Sequence, residues 1–400
     1  METTKKILSV LLALLFVITV MPVAKMELLF NANAKSLSQY EVGDIIEFGT
    51  YPQSEVKDGV LLSELNSLPL NWVSYGYYVG TGEYADGNMQ PSDFMKYADV
   101  THGGEKYRAV MFTQYRPDKT YMTSSEDDTE QTDNGYYVNT VYWFKYEPLQ
   151  WRVLDPEEGF IMCENLIDAQ AYNNTDYKGF QDKSSSVYAN DYAGSSIREW
   201  LNDDFYNTAF NEAEKAEIQI TEMKNVCISH MDSDYSKYDS ENTSDKIFLL
   251  SYDEVKNSKY GFSMDESEKD MKRRAQGTDY AKAQGLHTEL SYEGYIGNSP
   301  WWLRSPYSGA KGACEVTLTG YSREGSHDVI LTNKGVRPAL KFNPKPLAEN
   351  IDSEEAEDNN KNTDLKNPSD SPVIGVVIAG VVAGVVIIAG VAFIILKKKK

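Results

Sequence analysis

The stretch Val373–Leu396 carries no charge and is followed at once by Lys397–Lys400. An apolar run of this length is long enough to cross a bilayer as a helix, and a buried core helix would not be apolar on every side and then end in four lysines. The lysines act as a positive stop, so the C-terminus is expected in the cytoplasm and the rest of the chain outside the cell membrane, in single-pass topology. Gly380 and Gly384 form a G-x-x-x-G pair that would let two such helices approach closely, a route to a homodimer. At the other end, Lys5-Lys6, the apolar run Ile7–Val23 and Ala32-Asn33-Ala34 have the order of a secretory leader with its cleavage site, over residues 1–34.

Between these ends the chain is acidic. Its formal net charge is −21 although lysines are concentrated at both termini, so a phosphate backbone would be repelled and no nucleic-acid partner is expected. An aromatic content of 12%, led by 28 tyrosines, is too high for a disordered acidic chain. Residues 345–372 are the exception. They are rich in Glu, Asp, Asn and Lys with almost no large apolar side chain, and cannot offset the entropy of ordering. They read as a solvated stalk beneath a folded extracellular domain at 35–344.

Within that domain, turn residues and periodicity predict an α+β fold of mostly antiparallel strands, a few short helices and long loops. A strand is expected from Ile45 to a turn exit at Tyr51-Pro52, and another over Tyr107–Phe112 with Arg108 and Val110 on its opposite face. Tyr121–Tyr136, polar and without period, reads as an exposed loop. Val141–Phe144 and Trp151–Leu154 are expected as strands broken by Glu147-Pro148, with Gly159–Cys163 completing a hairpin or meander. Ser195 or Ser196 can cap a helix, a second helix should begin near Asn211, and Ser251 with Glu254 fits a capping box. Strands return at Ile247–Leu250, Trp301–Leu303, Cys314–Leu318, Val329–Leu331 and Val336–Lys341.

Two segments carry a resemblance: Trp301-Trp302-Leu303-Arg304-Ser305-Pro306 and Gly335-Val336-Arg337-Pro338-Ala339-Leu340. With Gly43–Gln53, Tyr142–Leu154, Ile197–Phe210 and Asp245–Val255, they resemble a Firmicutes extracellular family known only as domain of unknown function 6273, over roughly 40–342. More distantly, the Trp-rich strand and closing G-V-R strand are similar to the C-type-lectin and formylglycine-generating-enzyme superfold. That resemblance implies a compact body whose long excursions present a ligand face. Asn367-Pro368-Ser369-Asp370-Ser371 resembles a Gram-positive sorting signal, but Asp370 stands where Thr belongs, so a simple membrane anchor is expected.

The chemistry is sparse. Cys163, Cys227 and Cys314 match no pairing motif and read as buried thiols. His102, His230, His287 and His327 have no second ligand at helical spacing, so no metal site is expected. Asp232-x-Asp234-x-Ser236 begins like a calcium loop but has Lys237 at its sixth position. No cofactor is therefore expected, with calcium on an acidic loop kept as the alternative. Arg304 and Arg337 are expected as buried forks pinning the closing strands, and Trp301 and Trp302 as core with one of the two exposed. The span Tyr307–Lys334 holds the candidate ligand residues Tyr307, Tyr321, Arg323, His327, Asp328 and Asn333, since rigid aromatics among small polar residues suit recognition. Along its strand, Cys314, Val316 and Leu318 would face inward and Glu315, Thr317 and Thr319 outward. The expected function is non-catalytic recognition of a surface glycan, a protein or a peptidoglycan component. The alternatives are an extracellular hydrolase, or an envelope scaffold or sensor that dimerises through its membrane helix.

Overall fold

From Ile45 onward the chain alternates strands with short helices. The computed structural model describes residues 37–75, 95–116, 129–174, 188–228, 235–266 and 269–343. The leader, the stalk, the apolar span with Gly380 and Gly384, and the lysine tail lie outside the described residues. Among the described residues no helix is long and apolar enough to cross a membrane.

The order is β1 (Ile45–Glu55), α1 (Gly59–Asn66), β2 (Val73–Ser74), β3 (Met95–His102), β4 (Glu105–Phe112), α2 (Glu130–Asp133), β5 (Val141–Asp155), β6 (Phe160–Cys163) and β7 (Asp168–Ala169). A helical segment follows: α3 (Ser196–Trp200), a π turn (Leu201–Phe205) and α4 (Tyr206–Ala209), then α5 (Glu212–Glu217). The hairpin β8 (Thr221–Asn225)/β9 (Ser240–Asp245), β10 (Ile247–Phe248) and α6 (Asp279–Ala283) lead to β11 (Trp301–Pro306), β12 (Gly312–Val316), β13 (Ser322–Asp328), β14 (Gly335–Val336) and β15 (Ala339–Lys341). The fold is α+β.

The largest sheet has the order β10-β15-β6-β5-β4-β3-β2 with β1 also on β5, a second has the order β13-β12-β11-β14-β7, and β8-β9 pair as a third. Among the described strands every pairing is antiparallel except β11 with β14, where Trp301 lies opposite Gly335. Residues 144, 151 and 152 of β5 each sit opposite two neighbours: β1 runs along one edge, and β4 then β6 along the other. A single core includes Tyr51 and Trp151 from the first part of the chain and Ile161, Trp302, Val336 and Leu340 from the second. Trp151 anchors the junction, its indole N–H donating to the Phe48 carbonyl at 2.7 Å.

The expected break at Glu147-Pro148 is absent, and β5 runs unbroken from Val141 to Asp155. A proline interrupts a ladder because it has no N–H. Here the register with β1 shifts on both sides of the Thr50↔Pro148 and Pro52↔Tyr146 pairs, and the Gln53 amide donates to the Glu147 and Pro148 carbonyls at 2.9 and 3.0 Å. The same irregularity lets β1 continue through Pro52 to Glu55 instead of turning out at Tyr51-Pro52. The loop expected over Tyr121–Tyr136 is corrected from Thr129 onward. Thr129 caps α2 and Thr132 returns the bond, in a reciprocal box, and Tyr136 is buried. The capping residues predicted from local spacing are in place: Ser195 before α3, Asn211 with Glu214 before α5, and Ser251 with Glu254 before a 3-10 turn.

Candidate ligand-binding face

The six candidate residues fall in three places. At one end of the β12–β13 hairpin, Gly312 pairs with Asp328, and the Tyr307 N–H donates to the Gly312 carbonyl at 2.9 Å. Lys311 lies 3.6 Å from Asp328 at this end. His327 pairs through its backbone with Ala313. At the other end Val316 pairs with Ser322, and the turn between them is closed by bonds from Thr317 N–H to the Tyr321 carbonyl and from Gly320 N–H to the Thr317 carbonyl, each 2.9 Å. Tyr321 and Arg323 stand there, half-buried. At about 3.3 Å of rise per residue the two ends are roughly 13 Å apart. Asn333 lies elsewhere, its amide donating to Glu130 at 3.1 Å.

The expected outward face of β12 is also corrected. Glu315 is buried, like the rest of the strand, because Lys334 comes within 2.7 Å of it and is itself nearly enclosed. Trp301 and Trp302 are both fully buried, and neither is exposed. Their indole N–H groups donate to the Arg273 and Gln170 carbonyls at 3.0 and 2.9 Å. Arg304 forks onto Glu254, with one arm at 3.0 Å, and also donates to the Leu249 carbonyl at 2.8 Å. Burial alone would raise the Glu254 carboxyl, but Arg304 overrides it and holds it below its ordinary value. Arg337 donates to the Cys163 and Glu164 carbonyls at 2.9 Å, and burial pushes its guanidinium down to about 10.

The Tyr321 end of the hairpin is where three loops meet. The fully buried Arg273 ties the hairpin turn to the loop around Ser263. Its guanidinium donates to the carbonyls of Gly320 at 2.8 Å, Val255 at 3.1 Å, Ser263 at 3.0 Å and Asp265 at 2.9 Å. Gly320 has φ +86°, and a Cβ there would come within 2.2 Å of the Asp270 carbonyl oxygen, so only glycine permits this approach. Arg274 donates to the Thr319 carbonyl and Asn298 to the Leu318 carbonyl, both at 3.1 Å. The third loop closes on itself through Gly297 N–H to the Glu289 carbonyl at 2.8 Å.

On this platform stand side chains that sequence reasoning missed. Tyr292 and Tyr295 pack with ring centroids 4.8 Å apart, and Arg274 and Lys269 lie 4.7 and 5.6 Å from the Tyr295 ring centroid. Leu290, Tyr292, Ile296 and Met271 are each more than half exposed. The available signal was the run Ser291-Tyr292-Glu293-Gly294-Tyr295-Ile296-Gly297, whose two glycines both have positive φ.

The described residues hold polar clusters of another kind, buried or half-buried. Arg108 grips Asp99 with two bonds of 2.8 and 2.9 Å, and lies against Tyr97, Tyr146, Tyr51 and Tyr280. Nearby, burial raises the Asp168 carboxyl to about 6, with Tyr75 donating to it at 3.1 Å. His287 Nδ1 lies 2.9 and 3.1 Å from the two oxygens of Glu130, and this bond raises the imidazole above its ordinary value. No group of three or more metal-ligating side chains is assembled among the described residues. All three cysteines are free and buried, and burial raises the Cys163 thiol to about 12.

No curated protein and no solved structure matches this chain. The recurring part is narrower than the resemblance implied, since Gly43–Gln53 and Tyr142–Leu154 fall outside it. Residues 160–344, from the first residue of β6 to just beyond β15, match the model of the family described as Domain of unknown function (DUF6273).

Proposed function

We propose that this chain is a non-catalytic recognition protein of the cell surface, anchored by Val373–Leu396 and presenting a C-type-lectin-like binding domain. The observation that carries the reading is the exposure of Leu290, Tyr292 and Ile296 on a loop that the Asn298 amide ties to the Leu318 carbonyl, at the Tyr321 end of the hairpin. Recognition surfaces favour aromatic anchors whose ordering cost has already been met by the fold. The adjacency of β11 and β14 supports the lectin-like comparison, since it sets the Trp-rich strand beside the closing G-V-R strand. The ligand class is a glycan, a protein or a cell-wall component.

The test is binding of the full chain to surface glycans, peptidoglycan fragments and peptides, with calcium and with chelator. Binding that is lost on Tyr292→Ala with Tyr295→Ala, and kept on Tyr307→Ala, would support this face. Binding lost only with Tyr307→Ala would move the site to the opposite end of the hairpin. The chelator arm decides the calcium alternative.

A further inference from the structure

We propose that α2 is a proton-controlled latch: protonated His287 holds Glu130, and so fastens α2 to the turn after α6 and to the connection that leads into β14. Loss of that proton loosens α2 and Asn333 together. The proposal is independent of the recognition reading above.

The latch joins three segments that are far apart in sequence. Glu130 is the first residue of α2. Its Oε1 lies 2.9 Å from His287 Nδ1 and also accepts from the Asn333 amide at 3.1 Å, while its Oε2 lies 3.1 Å from the same ring nitrogen. The His287 N–H donates to the Asn333 carbonyl at 2.9 Å, so imidazole, carboxylate and amide close a ring of contacts. The amide oxygen of Asn333 is buried with no hydrogen-bond partner among the described residues, so its hold comes from the Glu130 side. Neutral bonds tie the rest of α2 to the end of α6: the Gln131 amide to the Ala283 carbonyl at 3.0 Å, and the Asn134 amide to the Lys282 and Leu286 carbonyls at 3.1 and 2.8 Å. A helix this short has no stability of its own, so its place depends on such ties.

The charges around the imidazole make its proton decisive. Glu130 faces it from α2, Lys334 from the connection before β14, and Glu289 from its own loop. Lys334 is paired with the buried Glu315 at 2.7 Å. On α6, Lys282 is paired with Asp279 at 3.4 Å, and Asp133 of α2 is exposed. The imidazolium is therefore the cation that answers Glu130. A neutral ring can still donate from Nδ1, but the bond no longer joins opposite charges and is roughly half as strong. The contact with Glu130 raises the imidazole above its ordinary value of 6.5. A base raised in this way contributes in full below its unfolded value, and the contribution is lost as pH rises through the folded value. The latch is closed on the acid side and loosens as pH rises above 6.5.

The experiment is amide exchange of the full chain at pH 5.5 and pH 8.5, corrected for the intrinsic pH dependence of exchange, in the parent, His287→Gln and Glu130→Gln. The expected result is that protection of residues 130–136 and of the His287 amide falls about three- to tenfold in the parent at the higher pH, the scale of a half-exposed charge-assisted bond. Protection in β8 and β9 should not change, and both variants should show the lower value at either pH. Parent protection that is the same at both pH values overturns the proposal. A fall that persists in His287→Gln overturns it by assigning the response to another group. A fall shared equally by β8 and β9 also overturns it, because it reports the whole domain. An imidazole titration followed by NMR keeps the test decisive if His287→Gln does not fold. The His287 value should drop in Glu130→Gln, and an unchanged value overturns the proposal.

Discussion

The Arg273 guanidinium reaches the Gly320 carbonyl oxygen at 2.8 Å, joining a loop that begins near Ser263 to a hairpin turn 47 residues further along. Three further carbonyls converge on the same side chain. One buried cation therefore ties the hairpin turn to the loop around Ser263 and to Val255. Arg273→Met, which keeps the apolar stem, should destabilise the domain by roughly 2–4 kcal/mol through carbonyls left without donors. Urea unfolding measures this, and an unchanged midpoint would show that the clamp contributes nothing.

Gly320 is the other half of that junction. Gly320→Ala combines an unfavourable φ with a contact against the Asp270 carbonyl, and should cost about 1–3 kcal/mol. Amide exchange should rise in Ser263–Arg274 and stay unchanged in β3 and β4. A uniform rise across both regions would argue for global loosening instead.

The Arg304–Glu254 pair predicts a non-additive result. Glu254→Leu alone leaves a buried guanidinium without its partner and should cost about 3–5 kcal/mol, whereas Glu254→Leu with Arg304→Met should recover most of the loss. Additive losses in the double-mutant cycle would show that the two side chains do not act as a pair.

Asp168 predicts an acid-side optimum for one contribution to stability. Burial lifts its folded value to about 6, against about 3.9 for an unfolded aspartate. Between those values the native state holds more protons than the unfolded chain, so this contribution falls as pH rises from about 4 to about 6, by roughly 2–3 kcal/mol. Asp168→Asn should flatten the difference in unfolding free energy between pH 4.5 and 6.5. An unaltered slope would mean that Asp168 is not the group responsible.

What could be read in advance was local. Ser195, Asn211 and the Ser251–Glu254 box were legible because a cap is decided within four residues. Thr129 was missed because its return bond comes from Thr132 instead of the usual Glu or Gln. Glu315 was placed outward because alternation cannot foresee Lys334, which comes from a different strand connection. The tyrosines misled in a more general way. Their abundance suited a recognition surface, yet Tyr146 donates to Asp99 at 2.7 Å, Tyr75 to Asp168 and Tyr172 to the Arg304 carbonyl at 2.8 Å, all from buried positions. Composition does not distinguish a hydroxyl facing water from one satisfied inside. Exposed Tyr292 and half-buried Tyr295 lie only a few residues before β11, and only the two flanking glycines set them apart from the buried ones.

The family stretch starts at Phe160, where β6 begins, and β6 is hydrogen-bonded on one side to β15, within the stretch, and on the other to β5, outside it. A boundary drawn by similarity thus cuts through a ladder. Expressed alone, residues 160–344 would carry a bare inner strand, with the Trp151 side of the core open to water and to any complementary edge. In this chain the strand that completes β6 comes from outside the matched stretch.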